Sequence, residues 1–157
     1  FPEEKLSFLL KELMINTFGN EDEIINDFYL SVNDLKSVLQ SGHEVGIHSH
    51  THPVLSKLTE NDQFQEINKA ASFFKNELGF ENLHFAYPYG KKGTWNYLTK
   101  KVLKKMKFSS AVTMERRIAN PSDLSERWEI PRFDVKDIFD YNNKLNTNLI
   151  ETLFKGD

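Results

Sequence analysis

The chain has 157 residues, 39% of them hydrophobic and 27% charged, with no cysteine and a formal net charge of -3. That length supports one domain with a real core, so residues 1–157 read as a single domain, and the charge offers no basic face for nucleic acid. Disulfides and thiolate metal sites are excluded, and no run of about 18 apolar residues is present to cross a membrane.

Pro2 suits a first helical turn, and Leu6, Leu9, Leu10, Leu13 and Met14 then recur at helical spacing, predicting a helix of roughly 12 residues. The stretch NTFGNEDEIIND reads as a turn followed by an acidic surface segment. In SVNDLKSVLQSG, Ser31 and Asp34 form a capping-box pattern, Leu35, Val38 and Leu39 an apolar face, and Gly42 a stop. HEVGIH reads as a short strand ending at His48. Thr59 caps the clearest helix, with Phe64, Ile67, Ala71, Phe74 and Leu78 on one face and Gly79 at its end. NLHFAYP reads as a strand cut by Pro88. Thr94 opens a helix carrying Trp95, Leu98, Val102 and Met106, whose lysines Lys100, Lys101, Lys104 and Lys105 form its solvated face. FSSAVTM and WEIPRFDV read as extended segments, followed by short helices near 137–143 and 149–154. Helices and strands therefore alternate, which predicts an α/β fold with a parallel sheet and crossover helices. In such folds functional groups gather at the carboxyl ends of strands.

EVGIHSHTHP places three of the five histidines at alternate positions beside such an end. As a strand, His48, His50 and His52 would share a face; as a helical turn, His48 and His52 would meet at i, i+4. Pro53 disfavours continued central strand, so the favoured geometry is a strand ending at His48 and a turn returning His52 beside it. Neutral imidazole is a common zinc ligand, and two His with a carboxylate and an open position form a known catalytic set. A wet surface cluster is the alternative, weakened by three histidines in five residues. His43 and His84 read as polar residues flanking strands.

GHEVGIHSHTHPVLSKLT resembles the second motif of the polysaccharide deacetylases (carbohydrate esterase family 4), His-Ser/Thr-x-x-His followed by Pro. The resemblance makes His48 and His52 metal ligands, has Ser49 orient the loop, and leaves His50 beside the site. FAYPYGKKG resembles the third motif, Arg-x-Pro-Tyr/Phe. It implies that the Tyr89 backbone N–H is an oxyanion donor and that Tyr87 and Pro88 line the substrate site. Ala86 stands where many members carry Arg. Arg132, in WEIPRFDV, is then either a replacement guanidinium holding a carboxylate or substrate, or a surface ion-pair partner. Trp128 is either a sugar-stacking wall or, slightly favoured, a core aromatic. These motifs cover about 29–135, and residues 1–28 resemble an insertion that some members carry before the second motif.

The resemblance implies an incomplete distorted (β/α) barrel of the polysaccharide deacetylase type. Its activity would be metal-dependent hydrolysis of C–N bonds other than peptide bonds, removing acetyl groups from N-acetylated sugars. Zinc or another divalent metal would be the cofactor and a carbohydrate the substrate. The family's Asp-Asp motif, which supplies a base and a third ligand, has no counterpart here, and no His follows His84. The reading is therefore a domain missing its N-terminal strands. The rival is a catalytically inactive carbohydrate-binding or interaction domain. An incomplete barrel would expose sheet edges and aromatics, so a homo-oligomer or a missing N-terminal segment is expected to cover them.

Overall fold

The computed structural model describes residues 3–79, 83–139, 144–147 and 151. The chain divides into two compact units, Phe1–Glu44 and Val45–Asp157. The first unit holds α1 (Glu3–Phe18), α2 (Glu21–Phe28) and α3 (Val32–Gln40), with α1 packed on α2. α1 runs for 16 residues, longer than its apolar repeat suggested. The NTFGNEDEIIND stretch breaks at Gly19–Asn20 and exposes Asp22, as expected, but its acidic part is helical: Asn20 accepts the Asp22 N–H and starts α2. Asn is a strong N-cap, and Ile25 and Phe28 at i, i+3 spacing supply the apolar side that the acidic residues obscured. Ser31 and Asp34 bond each other's backbone N–H groups and open α3 as a capping box.

The second unit contains a short 3₁₀ turn (Leu55–Lys57), α4 (Glu60–Leu78), β1 (His84–Ala86), α5 (Tyr97–Lys105), β2 (Ser110–Val112), α6 (Pro121–Glu126) and α7 (Val135–Ile138). Thr59 caps α4, and Gly79 ends it in the left-handed conformation (φ 71°) that carries no Cβ penalty there. Asn96 rather than Thr94 caps α5, in reciprocal bonds with Thr99. The Thr94 hydroxyl is instead turned to the Lys91 and Pro88 carbonyls.

β1 and β2 pair in parallel, His84 opposite Ser110 and Ala86 opposite Val112. The segments expected as flanking strands reduce to single parallel bridges, Ile47 to Phe85 and Ile130 to Val112. Gly46 and Pro131 bound them: glycine weakens a strand interior and proline donates no ladder bond. Even so, four extended segments lie side by side in chain order, all parallel, with α4, α5 and α6 as the crossovers. The core beneath them is Ile47, Leu55, Ile67, Leu83, Phe85, Tyr87, Val102, Leu103, Phe108 and Ala111. α4 and α5 pack against each other, tied by a buried bond from the Thr99 hydroxyl to Gln63 Oε1 at 2.6 Å. α7 starts and ends earlier than the expected helix near 137–143. Residues 140–143 and most of 149–154 lie outside the described residues.

Candidate functional site

The four parallel segments described in the second unit deliver residues to the same end. His48 follows Ile47, Tyr87 to Gly90 follow β1, Thr113 to Glu115 follow β2, and Arg132 follows Ile130. Parallel strands make this unavoidable, since their carboxyl ends share one edge.

The turn after His48 returns His52 to it, with the two Nε2 atoms 3.1 Å apart. His48 Nδ1 lies 2.7 Å from the Ala86 carbonyl, which only accepts, so Nδ1 carries the proton and Nε2 the lone pair. The Ser49 hydroxyl accepts the His52 N–H at 3.1 Å. Ser49 (φ 62°) and His52 (φ 59°) both take left-handed backbone, an uncommon state for such residues. Partial burial is the largest influence on His48 and pushes its pKa below the ordinary histidine value; nearby His52 and Arg132 act in the same direction, against the Ala86 bond. The imidazole is thereby kept neutral, the form that binds metal. His50 is exposed, and its backbone N–H is held by Glu66.

Tyr89 stands at φ 61° and is 52% exposed, its ring 4.7 Å from the His52 ring between centroids. Among the described residues no acceptor takes the Tyr89 backbone N–H. Gly90 behind it is required: a Cβ there would fall 2.8 Å from Met114 Cγ and 2.9 Å from Met114 N. Arg132 donates from Nε to the Thr113 carbonyl at 3.0 Å. The ion pair offered as its alternative role is not formed among the described residues.

Two sequence expectations, at Tyr87 and Pro88, meet a different placement, whereas Trp128 takes the core position that the sequence reading favoured. Tyr87 is 0% exposed, its hydroxyl donating to the Trp128 carbonyl at 2.8 Å, and Pro88 is equally buried. Neither side chain is open to a substrate. Trp128 packs on the core with Lys104 Nζ 5.7 Å from its ring centroid, in a groove of about 220 Å³ shared with Lys100, Ser122, Asp123, Glu126 and Glu129. None of the site histidines lines that groove. Glu66 and Gly90 were not singled out from the sequence. A Pro-Tyr-Gly run signals a tight turn and could have flagged Gly90, whereas Glu66 is one of several acidic residues on α4.

Two nitrogens sharing one tetrahedral zinc at 2.0–2.1 Å lie about 3.3 Å apart, so the observed spacing and the single lone pair fixed on His48 suit two ligands of one ion. Among the described residues no third His, Cys, Asp or Glu joins them. The donor set fits a metal in part, as two of the three protein ligands a catalytic site uses.

Residues 7–111 match the sequence profile of the polysaccharide deacetylases. The chain belongs to that family. The match includes α1 from Ser7 onward and all of α2, reaching further toward the N-terminus than the motifs at His48 and Pro88 alone, and it ends before WEIPRFDV. A curated relative, the uncharacterized protein YlxY of Bacillus subtilis (strain 168), is 31% identical over 88 residues; these are 56% of this chain and 27% of YlxY. Among solved structures, the Streptococcus pyogenes deacetylase PplD in complex with acetate is similar at TM-score 0.66 and 21% identity, over 80% of this chain and 51% of PplD. IcaB from Ammonifex degensii follows at TM-score 0.57 and 22% identity, over 69% of this chain and 50% of IcaB. At such identities the likeness establishes the α/β fold, helices around a small parallel sheet. The chain spans about a quarter of the curated relative and about half of each of these structures.

Proposed function

We propose that this polysaccharide deacetylase domain serves a metal-dependent hydrolase that removes acetyl groups from N-acetylated sugars, with His48 and His52 as two of the metal ligands. The observation that carries the reading is the His48–His52 pair: two Nε2 atoms at 3.1 Å, one imidazole oriented by the Ala86 carbonyl. Metal-bound histidines characteristically donate their other ring N–H in this way. A divalent cation such as zinc supplies Lewis acidity when bound, polarising a carbonyl and making water acidic enough to attack near neutral pH.

The chain's own residues do the rest. The Tyr89 N–H, without a protein acceptor among the described residues, is a ready donor to an oxyanion developing beside the pair. Arg132 holds an anionic group, a carboxylate of the complete site or the substrate, with the guanidinium edge that Thr113 leaves free. His48 stays neutral through its lowered pKa. Completion of the donor set calls for a carboxylate beyond those that the described residues bring to the pair, in a (β/α) barrel of which the four parallel segments are a sector. Neighbours in chain order suit a barrel, whereas a doubly wound sheet reverses its order.

The test is zinc content and acetate release by the full-length protein on N-acetylated oligosaccharides, beside His48→Ala and His52→Ala. Both variants are expected to lose zinc and activity together. Unchanged zinc in both would mean the ligand assignment is wrong. A second reading, an inactive carbohydrate-binding domain on the same fold, draws on the absence of an Asp-Asp pair from the sequence and of a third metal-binding side chain among the described residues. Oligosaccharide binding without acetate release, by a zinc-loaded full-length protein, selects that reading.

A further inference from the structure

We propose that Glu66 is a positioning residue for the histidine pair, its carboxylate reaching from α4 to clamp the turn between the two imidazoles. The inference rests on reading His48 and His52 as metal ligands and deepens it. Three donors of the turn converge on this one side chain. The N–H groups of His50 (3.3 Å) and Thr51 (2.9 Å) reach Oε2, and the Thr51 hydroxyl reaches Oε1 at 2.9 Å.

The turn needs such a clamp. Left-handed backbone at Ser49 and His52 is strained for residues with side chains, and it persists only where surroundings over-determine it. Within the turn the Ser49 hydroxyl secures the His52 N–H. The two N–H groups between them bond, among the described residues, to Glu66 alone. A charged acceptor makes these bonds stronger than a neutral one would. Glu66 is therefore bonded to the backbone that aims the ligands, not to the ligands themselves.

The two histidines depend on it unequally. His48 directly follows the Ile47 bridge and has its own anchor, the Ala86 carbonyl. His52 lies beyond the strained turn, and its ring rests against two other rings, the edge of His48 and the exposed Tyr89. Removing the carboxylate should release His52 and leave His48 in place.

The experiment uses the full-length protein with Glu66→Ala and Glu66→Gln, and Glu77→Ala as a carboxylate control on the same helix. Zinc affinity is read by competition titration, and the imidazole ¹⁵N resonances and Thr51 amide exchange are read in the metal-free state. Groups that orient metal ligands typically change affinity about 10–100-fold, so Glu66→Ala is expected to weaken zinc binding by that factor. Glu66→Gln should recover part of it through its remaining carbonyl oxygen, and Glu77→Ala should match the wild type. In metal-free Glu66→Ala, the His52 resonances should move and Thr51 exchange quicken, while the His48 Nδ1–H stays. Unmoved His52 resonances overturn the proposal. So does a shift spread through the core, because Glu66 would then be a general support of the fold. A wild-type protein that takes up no zinc sinks the metal-ligand reading instead, and the metal-free resonances still decide Glu66.

Discussion

Gly90 shows how narrowly the Tyr89 turn is drawn. Its φ is 61°, and two Met114 atoms would lie under 3 Å from any Cβ added there, which leaves no room for a side chain. Gly90→Ala should destabilise the protein by about 1–3 kcal/mol, measured by urea unfolding. Equal stability of the two proteins would mean that Met114 gives way freely. His48 carries a pH signature in the metal-free protein. Burial, then His52 and Arg132, depress its folded pKa below the ordinary 6.5, so the folded state resists protonation more than the unfolded chain does. The associated stability is complete above about pH 6.5 and is lost as pH falls through the folded value. Melting temperatures of wild type and His48→Gln between about pH 7.5 and 5 check this: the wild type should lose more stability on acidification, and parallel curves would remove His48 as the cause.

The elements that hold the site owe their ends to single side chains. α4 supplies Glu66 to the histidine turn and Ile67 to the core, so its N-terminus bears on both. Thr59 accepts the Asp62 N–H there at 3.2 Å, and its hydroxyl donates to the Asp62 carboxylate at 2.7 Å. Thr59→Ala is expected to cost about 1 kcal/mol in denaturant unfolding. A loss near zero would show that Asp62 and neighbouring groups cap the helix unaided. α5 is fastened differently. Its own cap, Asn96, also reaches the Ser56 carbonyl at 3.4 Å, joining the helix to the 3₁₀ turn that follows the histidines. Trp95, just before it, stacks on the buried Tyr87 at 4.7 Å and 19°, so the aromatic core at the end of β1 is continuous with this helix start.

At the scale of the whole molecule, apolar exposure is concentrated in the first unit. Leu6, Leu9, Leu10, Leu13 and Met14 occupy one arc of α1, Phe8, Ile15 and Phe18 another, and all are exposed, as are Ile25 and Phe28 of α2. A helix that is apolar on more than one side is ordinarily buried. Exposed surface of this extent marks an interface or an aggregation liability. The 157-residue chain by itself is accordingly expected to self-associate with rising concentration in size-exclusion chromatography and to bind a hydrophobic dye. A monomer that stays compact and dye-free at high concentration would contradict this. Among the described residues no helix is long and apolar enough to cross a membrane.

Local features were legible from residue order. Ser31, Thr59 and Gly79 mark helix ends because caps act within three or four residues, and Pro53 with i, i+4 histidines suffices to predict that His52 returns to His48. The two motifs at His48 and Pro88 likewise led to the family, since each is a contiguous run whose residue types the chemistry restricts. Asn20 escaped because acidic neighbours masked a short amphipathic turn. Folding in three dimensions settled which partners arrive from far along the chain. The Ala86 carbonyl orients His48 across 38 residues, the Glu66 carboxylate reaches the turn from another helix, and the Trp128 carbonyl draws the Tyr87 hydroxyl into the core. Those contacts follow from strand order and register, which bring distant residues to one edge, and no spacing within the sequence encodes them.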